Sequence, residues 1–358
     1  MTTRRAFLAE AAGAVAGLAF VGCGLLRARP ARAQGARRQV TVGGRHVRTV
    51  DVHAHCAVPE AMALMNLQIA PPSRPPQLLM STPQERLAAM DAQGIDLEAL
   101  SINPYWYKAD RELATRICQI QNEKLAQACA ANPDRFVAFA TVALQHPDLA
   151  AVQLEEGVKK YNLRGAAIGG SVNGEELSDP RFHPFWAKAE ALGVLVFIHP
   201  QGTAELNATS RFKGHGGLDN IIGNPLETTI ALSHLIFEGT LDRFPGLRIC
   251  AAHGGGYLPS YAGRSDAACV SVPARCGTPL KKKPSEYLHG IYYDSIVFTP
   301  EALRHLATET GPGQIVMGTD YPYRWTSTSV DHILGTPGLT DAEKAAMLGD
   351  TAARLLQI

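Results

Sequence analysis

Short apolar runs of β type alternate with amphipathic, helix-like segments eight times along residues 48–358. Such alternation indicates parallel strands covered by helices. Eight repeats predict a (β/α)8 barrel of the TIM type, whose active site lies at the carboxyl ends of the strands. An open doubly wound sheet is the alternative, but no G-x-G-x-x-G sequence follows any predicted strand. The predicted strands cover residues 48–55, 95–103, 136–144 and 163–168, runs that end at His199 and His253, residues 290–296, and a run that ends at Asp320.

Capping sequences mark the starts of two predicted helices. Thr82-Pro83-Gln84-Glu85 combines a capping residue, a proline in the first turn and an early acid. Asn224-Pro225-Leu226-Glu227 has the same form and predicts a helix that begins at an Asn224 cap and runs through Glu238. The last helix is expected over residues 341–356.

Metal-competent or proton-transferring side chains stand at the ends of four predicted strands. The first strand ends in His53-Ala54-His55, and residues i and i+2 of a strand point to one face, so both imidazoles are expected on the same side. On its own, such a pair is better explained by solvated or buried structural histidines. Later strands end in His199, His253 and Asp320, each followed closely by proline or glycine. This recurrence favours a shared metal site.

The residue types at these strand ends suit a catalytic metal. Imidazole nitrogens and a carboxylate are ligands that Zn²⁺ prefers, and a catalytic zinc site keeps one position open for water. A bound metal lowers the pKa of that water to about 7, so hydroxide becomes available at neutral pH. A further residue beside the water can then move protons.

The charge balance argues against two classes of partner. The chain has 358 residues, with 34 Lys and Arg against 33 Asp and Glu, so its formal net charge is +1. A near-neutral charge balance gives no sign of the basic surface that would bind nucleic acid or an anionic membrane. The seven cysteines include no C-x-x-C pair, and most are expected to be buried thiols.

Seven segments together resemble the amidohydrolase superfamily, and within it the branch similar to aminocarboxymuconate-semialdehyde decarboxylase. The resemblance extends over nearly the whole chain after residue 33 and implies the same barrel fold. The segments are Asp51-Val52-His53-Ala54-His55, Met90-Asp91-Ala92-Gln93-Gly94-Ile95-Asp96, Ile198-His199-Pro200, Ala252-His253-Gly254-Gly255-Gly256, Gly263-Arg264, Pro284-Ser285-Glu286-Tyr287 and Gly318-Thr319-Asp320-Tyr321-Pro322. None of them is specific alone, whereas the set is.

The resemblance implies roles for the predicted site residues. The metal ligands of the family match His53, His55, His199 and Asp320. His253 matches the histidine that activates the metal-bound water, and Asp320 is expected to assist it.

Two arginines match groups that bind a substrate carboxylate. Arg264, eleven residues after His253, corresponds to an arginine that the neighbouring subunit supplies in the family, which implies a homodimer. Arg74, in the proline-rich loop at residues 71–76, corresponds to a second one. A guanidinium suits this role because its planar fork binds a carboxylate through two hydrogen bonds.

The fourth predicted strand bears on the number of metals. Binuclear amidohydrolases bridge two metals with a carbamylated lysine at the end of this strand. Here the strand ends in Gly165-Ala166-Ala167-Ile168-Gly169-Gly170, without a lysine. The resemblance therefore implies one divalent metal, Zn²⁺ or, as the alternative, Mn²⁺.

Two reactions fit these residues. The leading interpretation is a metal-dependent carboxy-lyase that removes CO2 from an aromatic or unsaturated carboxylic acid. Hydrolysis of an ester, lactone or amide is the alternative, because it needs the same groups. A non-catalytic metal-binding protein is disfavoured, since His253-Gly254-Gly255 provides a proton-transfer group beside a filled ligand set.

Several other polar residues have open interpretations. Asp294 stands near a strand end and either orients a metal ligand or forms an ordinary salt bridge. Tyr105, Trp106 and Tyr107 either line a pocket for a planar substrate or belong to the core. His215, in a glycine-rich loop, is the one remaining histidine that merits a test.

The first 33 residues have the form of an export signal. Arg4 and Arg5 precede an uncharged apolar run at residues 11–26, and Ala31-Arg32-Ala33 supplies a cleavage site. The paired arginines resemble a twin-arginine signal, which implies a periplasmic protein. The apolar run is short for a membrane span. Lipid attachment at Cys23 is the lower-ranked alternative. The predicted organisation is a signal at 1–33, a lead-in at 34–47 and the barrel at 48–358.

Replacement of Arg4 and Arg5 by lysine should trap the precursor in the cytoplasm, because the arginine pair is an address that a receptor reads rather than an anchor. Fractionation of cells that express each form measures this. Normal export of the lysine variant would rule out the twin-arginine interpretation, and labelled lipid on Cys23 would favour the lipoprotein alternative.

Overall fold

The computed structural model describes residues 37–69, 77–202, 211–277, 280–323 and 329–358. The predicted signal, with Arg4, Arg5 and Cys23, lies outside the described residues, and so does Arg74. Within the described part of the chain, every helix is too short or too polar to span a lipid bilayer.

Eight parallel strands form the centre of the fold. A short antiparallel hairpin precedes them, formed by β1 (Thr41–Val42) and β2 (Arg45–His46), and a second hairpin, β7 (Ser171–Val172) with β8 (Glu175–Glu176), follows the fourth parallel strand. The parallel strands are β3 (Val50–His55), β4 (Leu97–Ser101), β5 (Phe136–Ala138), β6 (Gly165–Gly169), β9 (Leu195–His199), β10 (Arg248–Ala251), β11 (Tyr292–Asp294) and β12 (Ile315–Val316).

Backbone hydrogen bonds join these strands into a ring. The ladders give two sheets, in the orders β3-β4-β5 and β12-β11-β10-β9-β6. At one junction the amide of Ala140, just after β5, donates to the carbonyl of Gly165 at 2.8 Å. At the other, the amide of Val52 donates to the carbonyl of Met317 at 2.9 Å. The predicted (β/α)8 barrel is confirmed.

Helices follow the parallel strands and cover them. Their bounds are α1 (Pro59–Ala63), α2 (Pro83–Gln93), α3 (Arg111–Ala131), α4 (Pro147–Lys159), α5 (His183–Leu192), α6 (Asn224–Phe237), α7 (Thr240–Arg243), α8 (Leu258–Ser271), α9 (Pro300–Thr310), α10 (Ser329–Gly335), α11 (Asp341–Ala345) and α12 (Thr351–Leu356). The predicted start of α2 at a Thr82 cap is confirmed, and it is a capping box: the amide of Glu85 donates to the Thr82 hydroxyl at 3.1 Å, and the amide of Thr82 donates to the Glu85 carboxylate at 2.9 Å.

The predicted cap at Asn224 is wrong. A π-helical turn, Asp219–Gly223, leads directly into α6, and Asn224 already has helical angles of φ −62° and ψ −51°. The residue at the N-cap position of α6 is Gly223, which has no side chain to cap the helix. The last helix also differs from the prediction, because a π-helical turn, Ala346–Asp350, separates α11 from α12.

Several strand ends fall earlier than predicted. β10 ends at Ala251, so His253 lies in the turn Ala252–Gly255 rather than in the strand, and β12 ends at Val316, four residues before Asp320. β5 has three residues instead of nine. The apolar runs continue past the ladders because residues after each strand still pack in the core, where Phe139 and Met317 are fully buried. Burial alone therefore does not mark where the backbone hydrogen bonding between strands ends.

The barrel interior is a separate apolar cluster from the layer between strands and helices. Its members include Val50, Val52, Leu97, Phe139, Leu195, Phe197, Cys250 and Val316. Ala352, Leu355 and Leu356 of α12 pack against the same cluster. The final helix therefore shares the core that supports β3, the strand that carries the first histidines.

Candidate metal centre

A β-bulge in β3 sets the direction of the first two histidines. Asp51 pairs with Glu98 and Ala54 with Leu100, so that two residues, Val52 and His53, oppose one residue of β4. Strict alternation would place Val52 and His53 on opposite faces. The bulge allows both to face the barrel interior, where the ring of His53 lies 5.0 Å from that of Phe197.

Three side chains from opposite ends of the sequence meet at the end of β3. The Nε2 atoms of His53 and His55 lie 3.1 Å apart. Asp320 Oδ1 lies 2.7 Å from Nε2 of His55 and 3.2 Å from Nε2 of His53. The structure thus brings the predicted His-x-His pair onto the predicted carboxylate.

His199 and His253 complete the cluster. The ring of His199 lies 4.7 Å from that of His55 and 5.3 Å from that of His253. One ligand atom from each of His53, His199, His253 and Asp320 falls within 4.8 Å of the others. All five predicted residues therefore converge, and His253 stands as near to the centre as the predicted ligands do.

Asp294 orients two parts of the cluster. Its Oδ2 atom lies 2.6 Å from Nδ1 of His53 and accepts a hydrogen bond from the amide of His253 at 2.9 Å. Its Oδ1 atom accepts from the amide of Gly254 at 2.9 Å. A carboxylate that holds Nδ1 fixes the tautomer and orientation of a histidine, so that Nε2 faces the metal position. Of the two interpretations of Asp294, the structure supports the orienting one.

The turn that carries His253 requires glycine. His253 has a left-handed φ of 54°, and Gly254, Gly255 and Gly256 follow with φ of 62°, 77° and 66°. A Cβ atom on Gly256 would lie 2.1 Å from the carbonyl oxygen of Pro225. The glycine run therefore lets this turn pack against the start of α6 and hold His253 over the cluster.

Burial and charge together set the protonation of the cluster. Burial works against the imidazolium of His53, but the carboxylates of Asp320 and Asp294 outweigh it and raise the pKa of His53 to about 10. Burial by itself would raise the pKa of Asp320, but the two histidines of β3 hold that pKa far below its ordinary range. Burial and the neighbouring imidazoles lower the pKa of His199, and lower that of His253 to about 4.

This donor set suits a divalent cation. Two neutral nitrogens as close as those of His53 and His55 need a shared proton or a cation between their lone pairs. Within the described residues, the buried Nδ1 atoms of His55, His199 and His253 have no hydrogen-bond partner. Neutral imidazoles with a carboxylate are typical zinc ligands, and carboxylates also suit manganese. The residues therefore fit a metal.

Two cavities meet at the cluster. A cavity of about 590 Å³ lined mainly by polar residue types, called here the polar cavity, and a more apolar cavity of about 470 Å³ share four lining residues, Asn220, Asn224, His253 and Asp320. The apolar cavity continues along Ile296, Val297, Phe298 and Leu306. The clustered histidine and carboxylate therefore stand at the boundary between a polar and an apolar space.

The sequence interpretation missed part of this lining. Asn224 was assigned to a helix cap, and Glu227 to the same motif, yet Glu227 is buried and accepts a hydrogen bond from the amide of Gln201 at 2.9 Å. Gln201 stands two residues after His199 and lines the polar cavity. Proximity to a predicted strand end was the available signal for Gln201, whereas nothing in the local sequence marked Asn220.

Of the other residues that the sequence singled out, some line a cavity and some do not. Tyr105 lines the polar cavity, whereas Trp106 and Tyr107 are buried in the core. Arg264 lies on an exposed face of α8, and within the described chain it is not among the residues that line either cavity. His215 is exposed.

Residues 50–358 match the sequence profile of a family described as Amidohydrolase. The chain belongs to the amidohydrolase family. The matched range contains all eight barrel strands and all five clustered side chains.

Similar proteins show where this amidohydrolase stands in its family. The 2-amino-3-carboxymuconate-6-semialdehyde decarboxylase of Dictyostelium discoideum is 32% identical over 243 residues, which cover 67% of each chain. The crystal structure of 5-carboxyvanillate decarboxylase from Sphingomonas paucimobilis has a TM-score of 0.78 and 30% identity, and the match covers 87% of this chain and 99% of that one.

A third similar protein contains a metal. The dihydroxybenzoic acid decarboxylase of Polaromonas sp. JS666, solved with manganese and 2-nitroresorcinol, has a TM-score of 0.77 and 26% identity, with coverage of 87% of this chain and 97% of that one. These similarities confirm the predicted family, its barrel fold and the predicted class, a metal-dependent carboxy-lyase.

The purified amidohydrolase should hold about one divalent metal per chain, because the clustered residues complete one catalytic ligand set. His199→Ala should lose metal and activity together, whereas His234→Ala, on the exposed side of α6, should retain both. Elemental analysis of each protein measures this. Two tightly bound metals per chain in the unmodified protein would contradict the expectation.

Proposed function

We propose that this chain is a non-oxidative decarboxylase of an aromatic or unsaturated carboxylic acid, and that it uses one Zn²⁺ or Mn²⁺ ion. The observation that carries the proposal is the position of His253 and Asp320 at the boundary between the two cavities. A substrate with a polar carboxylate and an apolar ring would bridge the two cavities and place its reacting carbon beside these groups. The decarboxylase relatives support the same class.

We propose that His53, His55, His199 and Asp320 hold the metal. When bound, the ion would act as a Lewis acid that polarises a substrate oxygen and offsets developing negative charge. Asp294 keeps His53 in the correct orientation through its 2.6 Å contact with Nδ1. The remaining chemistry falls to side chains that do not need to bind the ion.

His253 is the proton-transfer group in this proposal. The bond between the substrate carbon and the carboxylate carbon breaks, its electron pair stays on the substrate carbon, and CO2 leaves. His253, which lines both cavities, takes up a proton from solvent and delivers it to this carbon. Burial lowers the pKa of His253 to about 4, so the imidazole is neutral at rest and, once protonated, gives up its proton readily.

The walls of the two cavities differ in polarity and would contact different parts of the substrate. Asn220, Asn224 and Gln201 offer amide groups that can hydrogen bond to the carboxylate or to a ring hydroxyl. The apolar wall formed by Ile296, Val297 and Leu306 suits a ring edge. An aromatic acid matches both walls better than a fully polar substrate does.

We propose that Arg264 acts on the active site of a second copy in a homodimer. Its exposed position on α8 supports this arrangement, because the side chain is available to a neighbouring molecule. Arg74 is proposed as the second carboxylate-binding arginine. A guanidinium from a partner would complete the polar cavity with a planar donor that matches a carboxylate.

We also propose that the protein is exported to the periplasm. Cys269 and Cys276 form a disulfide that joins the end of α8 to the following 3₁₀ turn. Disulfides persist in oxidising compartments such as the periplasm and are rare in the cytosol. The covalent link therefore supports the address that the first 33 residues predict.

Product analysis tests the proposed reaction. Hydroxybenzoates, unsaturated acids and lactones should be incubated with the metal-loaded protein, and CO2 and hydrolysis products measured in parallel, with the His199→Ala protein as control. CO2 release from at least one acid is expected. Hydrolytic cleavage without CO2 from any acid would replace the proposal by the hydrolase alternative.

His253→Asn should keep its metal while kcat falls by roughly 10²–10⁴, the range for loss of a positioned acid–base group. Metal content and kcat are measured on the same preparation, and a circular dichroism spectrum checks that the fold is retained. Because a ligand atom of His253 also lies within 4.8 Å of those of three proposed ligands, His53, His199 and Asp320, loss of the metal in this variant would make His253 a ligand instead.

A further inference from the structure

Arg86 is a fully buried arginine behind the metal-ligand cluster, and the proposed reaction does not use it. It lies on α2, and its side chain is inaccessible to solvent. A buried guanidinium is costly unless its charge is paired and its N–H groups are hydrogen bonded. Arg86 therefore depends on hydrogen-bond partners within the protein.

Those contacts connect α2 to the catalytic end of the barrel. Nε donates to Oε2 of Glu98 at 2.6 Å. Nη1 donates to the carbonyl of His55 at 2.8 Å and to the carbonyl of Leu79 at 2.9 Å. One side chain thus holds β4, the last residue of β3 and the segment before α2.

Arg86 also contacts the segment that carries Asp320. Its guanidinium carbon lies 4.6 Å from the ring centroid of Tyr321, the residue after Asp320. The carbonyl of Tyr321 in turn accepts a hydrogen bond from the amide of His55 at 2.7 Å. The backbone of His55 and the ring of Tyr321 are therefore both in contact with one guanidinium.

We propose that Arg86 is a positioning residue for the His55–Asp320 pair. It holds the two chain segments that carry these ligands in one register, so that Nε2 of His55 and Oδ1 of Asp320 meet at 2.7 Å. Glu98 pairs with the buried charge of Arg86. This inference rests on the proposed metal role of His55 and Asp320, but not on the reaction that the metal supports.

The test separates positioning from simple stability. The double variant Arg86→Met/Glu98→Leu removes both buried charges, and apolar replacement of a buried ion pair is often neutral for stability. Arg86→Lys keeps the charge beside Glu98, but one ammonium group cannot reach Glu98 and both carbonyls as Nε and Nη1 of the guanidinium do. Thermal unfolding and the Kd for Mn²⁺, from competition with a chelator, are measured for each protein.

A matched control lies at the other end of β4. Arg135 also combines one carboxylate with two backbone carbonyls: it contacts Asp91 at 2.9 Å and donates to the carbonyls of Asp96 and Ile95 at 3.0 and 3.2 Å. These partners precede β4, away from the strand ends that carry the cluster. Arg135→Lys should therefore leave the Kd for Mn²⁺ at the parental value.

Removal of an outer-shell partner typically weakens metal binding 10- to 100-fold, so we expect the double variant to melt near the parent temperature and bind Mn²⁺ roughly 10- to 100-fold more weakly. Arg86→Lys should weaken binding by a smaller factor. If the double variant folds and binds Mn²⁺ with the parental Kd, the proposal is overturned. If the double variant does not fold, a parental Kd for Arg86→Lys overturns it. Mn²⁺ binding by a parent protein that releases no CO2 would refute only the proposed reaction.

Discussion

Residues 317–321 run beside β3, and the hydrogen bonds between these two segments support the whole site. The amide of Asp320 donates to the carbonyl of His53 at 2.8 Å, and the amide of His55 donates to the carbonyl of Tyr321 at 2.7 Å. The same bonds close the barrel and bring the last carboxylate against the first imidazoles. Since 265 positions separate His55 from Asp320, the cluster exists only once the ring has closed.

Asp51 links the bulge of β3 to this closing segment. Its buried carboxylate accepts hydrogen bonds from the amides of His53 at 3.0 Å and Thr319 at 3.1 Å, and from the Thr319 hydroxyl. Burial and the nearby Glu98 raise the pKa of Asp51 to about 7, against the effect of these donors. The donors satisfy a polar group that would otherwise be costly to bury, and they hold the bulge that turns His53 inward.

Around the cluster, the residues that orient the imidazoles are different from the residues that face the substrate cavities. Asp294 and Arg86 lie behind the imidazoles and contact their far sides or their backbone, whereas His253 and Asp320 face the cavities. A site built in this way keeps its ligands rigid while one side stays open to a substrate. The fold alone would not indicate the reaction, because barrels of this type host many chemistries. The residues on the open side carry that information.

The sequence was enough to predict the barrel and the side chains at its strand ends, because alternating apolar runs report strand faces and strand ends, and seven short segments implied the family by resemblance. It could not predict that His253 stands in a left-handed turn within reach of the ligands, nor that Asn224 lines a cavity instead of capping a helix. It also gave no sign that Arg86 is buried behind the cluster. These features depend on packing between segments far apart in the chain, which local periodicity does not record.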